Sequence, residues 1–365
     1  MLLIEIQEPE RIGLKMLKYA LSFVLLLLVS ACSGAALLST QPPEPTNTPT
    51  PEGITFASPN FVFQGQDPSV PIVSHNPSPQ IQNTYINPGA VIYYQGQFHM
   101  FFNSFTNWPG LVQIGYMTSP DGLHWEIAQD QPVFTSDQVP YGEGQADVSS
   151  AQVLDDGTWV LYFHTITDGQ IGLATSDSPL GPWTVMPEPV LDAGPEGSWN
   201  DRGVYWPDVI RVDNTYYMYF AGRTAANTSI GLATSEDGRT WSAYDDPSTS
   251  EERYAHSDPV LEADADWQLF KADRPRVQHT PDGWVMIFSG SQVELRGLAL
   301  SRDGLVWETY PNNPFMGPEN FPISNARTWD TALVYFEQRY LYLMEIGGLG
   351  GTDLYLAVHQ GSLSQ

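Results

Sequence analysis

One phrase is written four times along this chain of 365 residues. It reads Ile-Gly-Tyr-Met-Thr-Ser-Pro-Asp-Gly-Leu-His-Trp at 114–125 and Ile-Gly-Leu-Ala-Thr-Ser-Asp-Ser-Pro-Leu-Gly-Pro-Trp at 171–183. It returns as Ile-Gly-Leu-Ala-Thr-Ser-Glu-Asp-Gly-Arg-Thr-Trp at 230–241 and as Arg-Gly-Leu-Ala-Leu-Ser-Arg-Asp-Gly-Leu-Val-Trp at 296–307. The glycines at 115, 172, 231 and 297 lie 57, 59 and 66 residues apart. A period of that length, filled with strand-forming residues, signals a radial or stacked array of small sheets. One unit cannot bury its own apolar faces, so neighbouring units must pack on each other.

Upstream of each copy stand an apolar strand, a tight turn and an aromatic-rich strand. The turns carry Gln95-Gly96, Asp156-Gly157, Asp213-Asn214 and Asp282-Gly283, which between strand-type runs are hairpin signals. A fifth copy runs over 333–344 and continues at 354–358. The Gly-Leu-Ala phrase then supplies a third strand, and a short fourth follows the closing Trp. Five four-stranded units, roughly 84–140, 141–195, 200–262, 268–316 and 323–362, predict an all-β fold, a five-bladed β-propeller of antiparallel blades. The fifth unit lacks the Asp-Gly-x-x-Trp corner, so residues 55–80 are expected to supply its outer strand and close the ring.

The ends and the charge set the context. Arg11, Lys15 and Lys18 precede an apolar run from Ala20 to Val29. That is the pattern of an export signal, too short for a membrane span. Val29-Ser30-Ala31-Cys32 then resembles a bacterial lipobox, and Cys32 is the single cysteine of the chain. Lipid modification at Cys32 is expected, whereas intramolecular disulfides and cysteine-cluster metal sites are excluded. Residues 1–31 read as a lipoprotein signal peptide. Residues 32–53, with their Pro/Thr run, read as a tether that cannot build a core. Residues 54–365 read as the folded domain. The protein is expected to be exported, held at the membrane only through the lipid, and monomeric. Acidic residues number 42 against 15 basic ones, for a net charge of −27. Such a surface repels phosphate backbones, so nucleic acid is not an expected partner.

In a propeller the first strand of each blade runs along the central channel. The segments that begin those strands therefore share one mouth: 86–89, 146–150, 205–208, 271–276 and 326–330. Four of the five carry an aspartate: Asp147, Asp208, Asp273 and Asp330. Arg and Trp recur beside them. Converging carboxyls with indole faces are what glycoside chemistry requires. One acid protonates the leaving oxygen, another carboxylate attacks or activates water, and indoles stack on sugar rings. A capping or ion-pairing role is the competing reading for any single aspartate, as for Asp273 beside Arg274 and Arg276. Lys271, Arg274, Arg276 and Arg327 either balance these carboxylates or point to an anionic sugar such as a uronate. His99 and His164 lie within strands and read as packed side chains.

Residues 87–102, from Asn87-Pro88-Gly89 to Phe101-Phe102, followed by 114–125, resemble the first blade of the five-bladed glycoside hydrolases. These are the invertase/levanase family and its relatives, the arabinanase/xylosidase and mannoside-phosphorylase families. Trp206-Pro207-Asp208-Val209 resembles the Trp-x-Pro-Asp strand of the second group. Asp273-Arg274-Pro275-Arg276-Val277 resembles the strand that carries an acid in these families. The similarity spans about 84–360. The first-blade aspartate of those enzymes is Asn87 here, and an amide can neither attack nor deprotonate. The position of their acid glutamate holds Asp273, one methylene shorter. Trp206 fills the middle Asp-Pro position. Those families sometimes hold a cation at the channel centre. No His/Asp spacing here requires one, so no cofactor or metal ligand is expected.

Two functions follow. The first is a glycosidase acting on an oligo- or polysaccharide with a relocated pair, Asp273 as acid and Asp208 or Asp147 as base, with inversion at the anomeric carbon. Asn87, Trp206, Arg274, Arg327, Trp329 and Asp330 are then the expected substrate contacts. The second is a glycan-binding propeller that has lost the chemistry.

Overall fold

Five antiparallel sheets follow one another along the chain in a computed structural model that describes residues 53–365 except 82 and 349. The export signal, Cys32 and nearly all of the tether lie outside the described residues. Blade 1 is built from Tyr85–Tyr94, Gln97–Phe105, Gln113–Ser119 and Glu126–Ile127. Blade 2 uses Ala146–Val153, Trp159–Thr165, Ile171–Ser176 and Thr184–Val185. Blade 3 uses Val204–Val212, Thr215–Arg223, Thr228–Ser235 and Ser242–Ala243, and blade 4 Asp273–Thr280, Gly283–Ser289, Arg296–Ser301 and Trp307–Thr309. Blade 5 takes Arg327–Phe336, Arg339–Gly348 and Gly351–Gln360 from the C-terminal end. Its outer strand is Val62–Phe63, paired with Val358 and Ala357, so the first described segment closes the ring. This is a five-bladed β-propeller.

The repeated glycine has a packing cause. Gly115 lies opposite Phe102, and a Cβ there would fall 2.0 Å from the Phe102 ring. The same pairing recurs as Phe163 with Gly172, Phe220 with Gly231 and Phe288 with Gly297. Blade 5 replaces it with Met344 opposite Tyr355, which is why the phrase is missing from its sequence. The rest of the phrase makes the outer corner. Asp237 accepts the backbone N–H groups of Arg239 and Thr240, both at 2.7 Å, while Ser235 Oγ accepts that of Gly238. Asp121 and Asp303 do the same in blades 1 and 4. Two of these corners also brace the preceding blade: Tyr162 Oη donates to Gly238 O and Tyr219 Oη to Gly304 O.

The core is distributed between the blades, as repeat packing requires. Phe101 and Tyr116 of blade 1 cluster with Trp159 and Phe163 of blade 2. Tyr162 and Leu173 of blade 2 meet Met218 and Phe220 of blade 3. Further clusters join blades 3 and 4, 4 and 5, and 5 and 1. Burying each such side chain contributes about 1.5–3 kcal/mol.

Around the channel, polar side chains stitch each blade to the innermost strand of the next. Asn103 brackets Val148 through its N–H and C=O, and Ser150 Oγ accepts the N–H of Val209. Asp208 accepts the N–H of Val277 at 2.6 Å, Gln278 accepts that of Tyr335, and Thr352 Oγ1 accepts that of Ile86. These stitches satisfy backbone groups that no ladder reaches. Every innermost strand also carries a bulge at its mouth end. Gly89, Trp206 and Arg274 within these bulges have positive φ. Bulges re-aim side chains, and the two non-glycine residues hold a conformation that structure must impose on them.

Candidate active site

The mouth ends of all five blades enclose a cavity of about 580 Å³. One wall is aromatic. Tyr85 stacks on Phe105 with ring centroids 5.5 Å apart, and Trp108, 48% exposed, extends that surface outward. The rest of the lining carries the charged groups. Arg223 and Arg274 lie there with Tyr205 and Trp206 from the blade 3 strand, and Asp330 and Glu345 come from blade 5.

The charged groups hold one another. Arg274 Nε donates to Asp330 Oδ1 at 3.0 Å, and its Nη1 lies 3.4 Å from Asp273 Oδ2. Asp273 also accepts the N–H of Arg274 and stands 3.8 Å from Arg223 Nη2. Both guanidinium groups lie over the Trp206 ring, at 4.0 Å for Arg274 and 4.7 Å for Arg223. The Asp330 N–H donates to Glu345 Oε2 at 3.2 Å.

Burial sets the protonation of the carboxyls. Glu345, 3% exposed, is pushed up to about 8 by desolvation and by the charge of Asp330, against the opposing Asp330 N–H, Thr352 and Arg274. Asp147 is raised well above the carboxylate range by burial and then by Asp330 and Glu345. The amide of Asn87, 3.5 Å away, and Arg276 offset only part of this, and Asp147 Oδ1 has no hydrogen-bond partner. His164 lines the cavity as a neutral imidazole, because burial and the charges of Arg223, Arg274 and Arg276 drive its pKa well down. Glu345, a buried acid that keeps its proton near neutral pH, stands beside the arginine-bound carboxylate of Asp330, so the cavity can both donate and accept protons.

Residues 79–263 match the Glycosyl hydrolases family 32 N-terminal domain. The chain belongs to this family. Within the curated proteins, this family 32-type chain is 37% identical to a probable arabinan endo-1,5-alpha-L-arabinosidase C of Neosartorya fischeri over 109 residues, 29% of the chain and 33% of that protein. It is 35% identical to the arabinan endo-1,5-alpha-L-arabinosidase A of Aspergillus niger over 83 residues, 22% of the chain and 25% of that protein. The match thus spans about a quarter to a third of the relatives' own length. Among solved structures, a glycosyl hydrolase from Bacteroides ovatus superposes with a TM-score of 0.61 at 19% identity, covering 84% of this chain and 96% of that one. A thermostable family-43 glycoside hydrolase superposes at 0.55 with 15% identity, over 76% and 90% of the two chains. These two share the fold.

The residues expected from the sequence fall into three groups in this family 32 propeller. Trp206, Arg274, Trp329 and Asp330 line the cavity. Asp147, Asp273 and Asn87 lie buried behind its lining. Asn87 is fully engaged: its Oδ1 accepts from Gly89 N–H and Asn103, and its Nδ2 reaches Asp147. Asp208 and Arg327 point elsewhere. Asp208 stitches blade 3 to blade 4, facing Arg276 at 3.8 Å, with its pKa raised to about 6 by burial. Arg327 is 62% exposed and pairs with Glu294 at 2.5 Å.

Glu345, Arg223 and the Tyr85–Phe105–Trp108 wall were not singled out from the sequence, and His164 was read there as packing. A signal for two of them exists in the second strands. Register places Asn103, His164, Ala221, Ser289 and Glu345 one residue beyond Phe102, Phe163, Phe220, Phe288 and Met344. A lone glutamate in that otherwise uncharged column is the mark of a specialised position. Among the described residues no group of three or more His, Cys, Asp and Glu side chains is arranged to hold a metal ion.

Proposed function

We propose that the protein hydrolyses O-glycosidic bonds in an oligo- or polysaccharide bound at this cavity. The observation that carries the reading is Glu345: a carboxyl raised to about 8, lining the cavity, beside the arginine-bound carboxylate of Asp330. Glu345 gives its proton to the glycosidic oxygen as the bond from that oxygen to the anomeric carbon breaks. A water oxygen bonds to the same carbon, and Asp330 takes the proton this water releases. Proton return through solvent resets both groups. General acid–base assistance of this kind contributes about 10²–10⁴-fold. The sugar ring stacks on the aromatic wall of Tyr85, Phe105 and Trp108, because two guanidinium groups already cover Trp206.

The acid role expected of Asp273 passes to Glu345 in this reading. Asp273 faces two arginines and lies behind the cavity lining, a position suited to holding Arg274 against Asp330. Asp147 stays in the proposal as the buried neighbour whose own pKa is raised by burial and by the charges of Asp330 and Glu345. If Asp330 activates water the product is inverted, and a product of retained configuration by proton NMR would assign Asp330 to direct attack. The matched stretches of arabinanases support a pentose-containing glycan as the first substrate to try.

One observation favours a second reading, a glycan-binding propeller without turnover. Asn87 stands where the resembling enzymes carry an aspartate, and all its polar atoms are hydrogen-bonded inside the fold. One experiment separates the two. The soluble domain, residues 54–365, is incubated with plant and microbial glycans and aryl glycosides, reading sugar release and binding together. Release that vanishes in Glu345→Gln while binding persists establishes the hydrolase. Binding without release under every condition establishes the second reading. The exported, lipid-anchored placement is tested by fatty-acid labelling of the full chain, expected to disappear in Cys32→Ala.

A further inference from the structure

The two arginines of the cavity are not equivalent. Arg274 is committed: its Nε donates to Asp330, its Nη1 faces Asp273, and its side chain is 13% exposed. Arg223 is not. Its one carboxylate contact is a long 3.8 Å to Asp273, its side chain is 31% exposed, and its buried Nε has no hydrogen-bond partner. A guanidinium carries five N–H donors that must be satisfied in place. Yet the group is fixed, lying over the Tyr205 ring at 4.3 Å and the Trp206 ring at 4.7 Å. A planar fork, held flat by two aromatic rings and presented to a cavity with donors to spare, matches a carboxylate in two parallel hydrogen bonds.

The setting sharpens the point. The chain has 42 acidic residues against 15 basic ones, so an under-neutralised guanidinium facing a cavity runs against its overall charge. An under-paired arginine is costly; its Nε is buried, so a bound anion would be met by the Nη groups on the exposed part of the side chain. The same cavity carries Tyr85, Phe105 and Trp108, a flat apolar surface for a sugar ring whose carboxylate Arg223 would then bind.

We infer that the glycan bound here carries a carboxylate, as in a uronate, and that Arg223 is the residue that reads it. The inference rests on the carbohydrate reading above and adds the substrate's charge. It moves recognition from Arg327, which pairs with Glu294 at the rim, and from Arg274, which serves Asp330.

The test uses acidic glycans, such as polygalacturonate, glucuronoxylan and rhamnogalacturonan, each beside the same polymer with its carboxyl groups chemically reduced to hydroxymethyl groups. Binding and sugar release are read for the wild type, Arg223→Gln and Arg223→Lys, with melting curves to establish that each variant folds. The wild type is expected to bind at least one acidic polymer about tenfold or more tightly than its reduced form. Arg223→Gln should lose that preference and bind the reduced polymer as the wild type does. Arg223→Lys, which keeps the charge without the fork, should retain part of it. Equal binding of acidic and reduced polymers by the wild type overturns the inference, as does binding of neutral glycans alone or an Arg223→Gln variant that keeps the preference. Charge-selective binding without any sugar release leaves the inference standing and overturns hydrolysis. Sugar release with no charge preference does the reverse.

Discussion

Aspartate and glutamate occupy both ends of this propeller and behave oppositely. At the outer corners, Asp237 bonds two backbone N–H groups and a serine hydroxyl; despite the desolvation that opposes them, these bonds hold it down to about 2. Asp121 and Asp303 are lowered in the same way. At the mouth, Glu345 is raised to about 8 and Asp147 well above its ordinary value, both by burial first. The corner carboxylates repeat because every blade needs the same turn. The mouth carboxyls differ from blade to blade because only one constellation is needed, and it is assembled once from five unequal copies. In a repeat protein, the columns that break the repeat are where function is to be sought.

The widest break between the two ends is kinetic. If Glu345 is the proton donor, kcat/KM should fall about tenfold per pH unit above pH 8, as its proton is lost. A corner change such as Asp237→Asn should leave that profile in place. Asp208 gives the next effect, because it lies at the channel yet acts as a stitch. Asp208→Ala orphans the Val277 N–H and should cost about 1–3 kcal/mol in urea unfolding, with glycan binding unchanged. Turnover lost in Asp208→Asn at unchanged stability would return Asp208 to the catalytic role the sequence suggests. Corner substitutions come third: Asp121→Ala, Asp237→Ala and Asp303→Ala should each cost about 1 kcal/mol, since these carboxylates are partly exposed.

The last prediction concerns the shape of stability against pH, whose sign differs between the ends. The corner carboxylates have lowered pKa values, so their contribution is present above about pH 4. It is lost as pH falls towards about 2, the folded value of Asp237. Glu345 binds its proton more tightly in the folded state, so stability declines as pH rises from about 4.5, the ordinary value, to about 8. Melting temperatures across this range should show Asp237→Asn flattening the acid side and Glu345→Gln flattening the alkaline side.

The architecture was legible because it repeats. The Gly-Leu-Ala phrase follows from a ring lying across a glycine, and the Asp-Gly-x-x-Trp corner from a carboxylate bonding its own turn; both are local and recur in blade after blade. The mouth was legible only in part. The strand starts pointed to Trp206, Arg274, Trp329 and Asp330, all of which line the cavity. They also pointed to Asp208 and Arg327, which do not. The cause is the bulge in each innermost strand, between Tyr205 and Asp208 and between Thr328 and Thr331. An inserted residue breaks the two-residue alternation, so which face a side chain takes cannot be counted across it. Glu345 and Arg223 were missed for another reason. They sit towards the ends of second strands, Glu345 in the column of Asn103, His164, Ala221 and Ser289 and Arg223 two residues further along its strand than that column, and only the register between strands shows that those ends reach the mouth.

The protonation of Glu345 is the point on which the contrast between the two ends depends most directly. Infrared difference spectra between the wild type and Glu345→Gln, followed from about pH 5 to about pH 9, isolate this carboxyl from Asp147 and Asp330. A protonated carboxyl band that disappears with a midpoint near 8 is the expected result. A Glu345 already ionised at about pH 5 would contradict the account, because a carboxylate there could not supply the proton that the cavity is built to deliver.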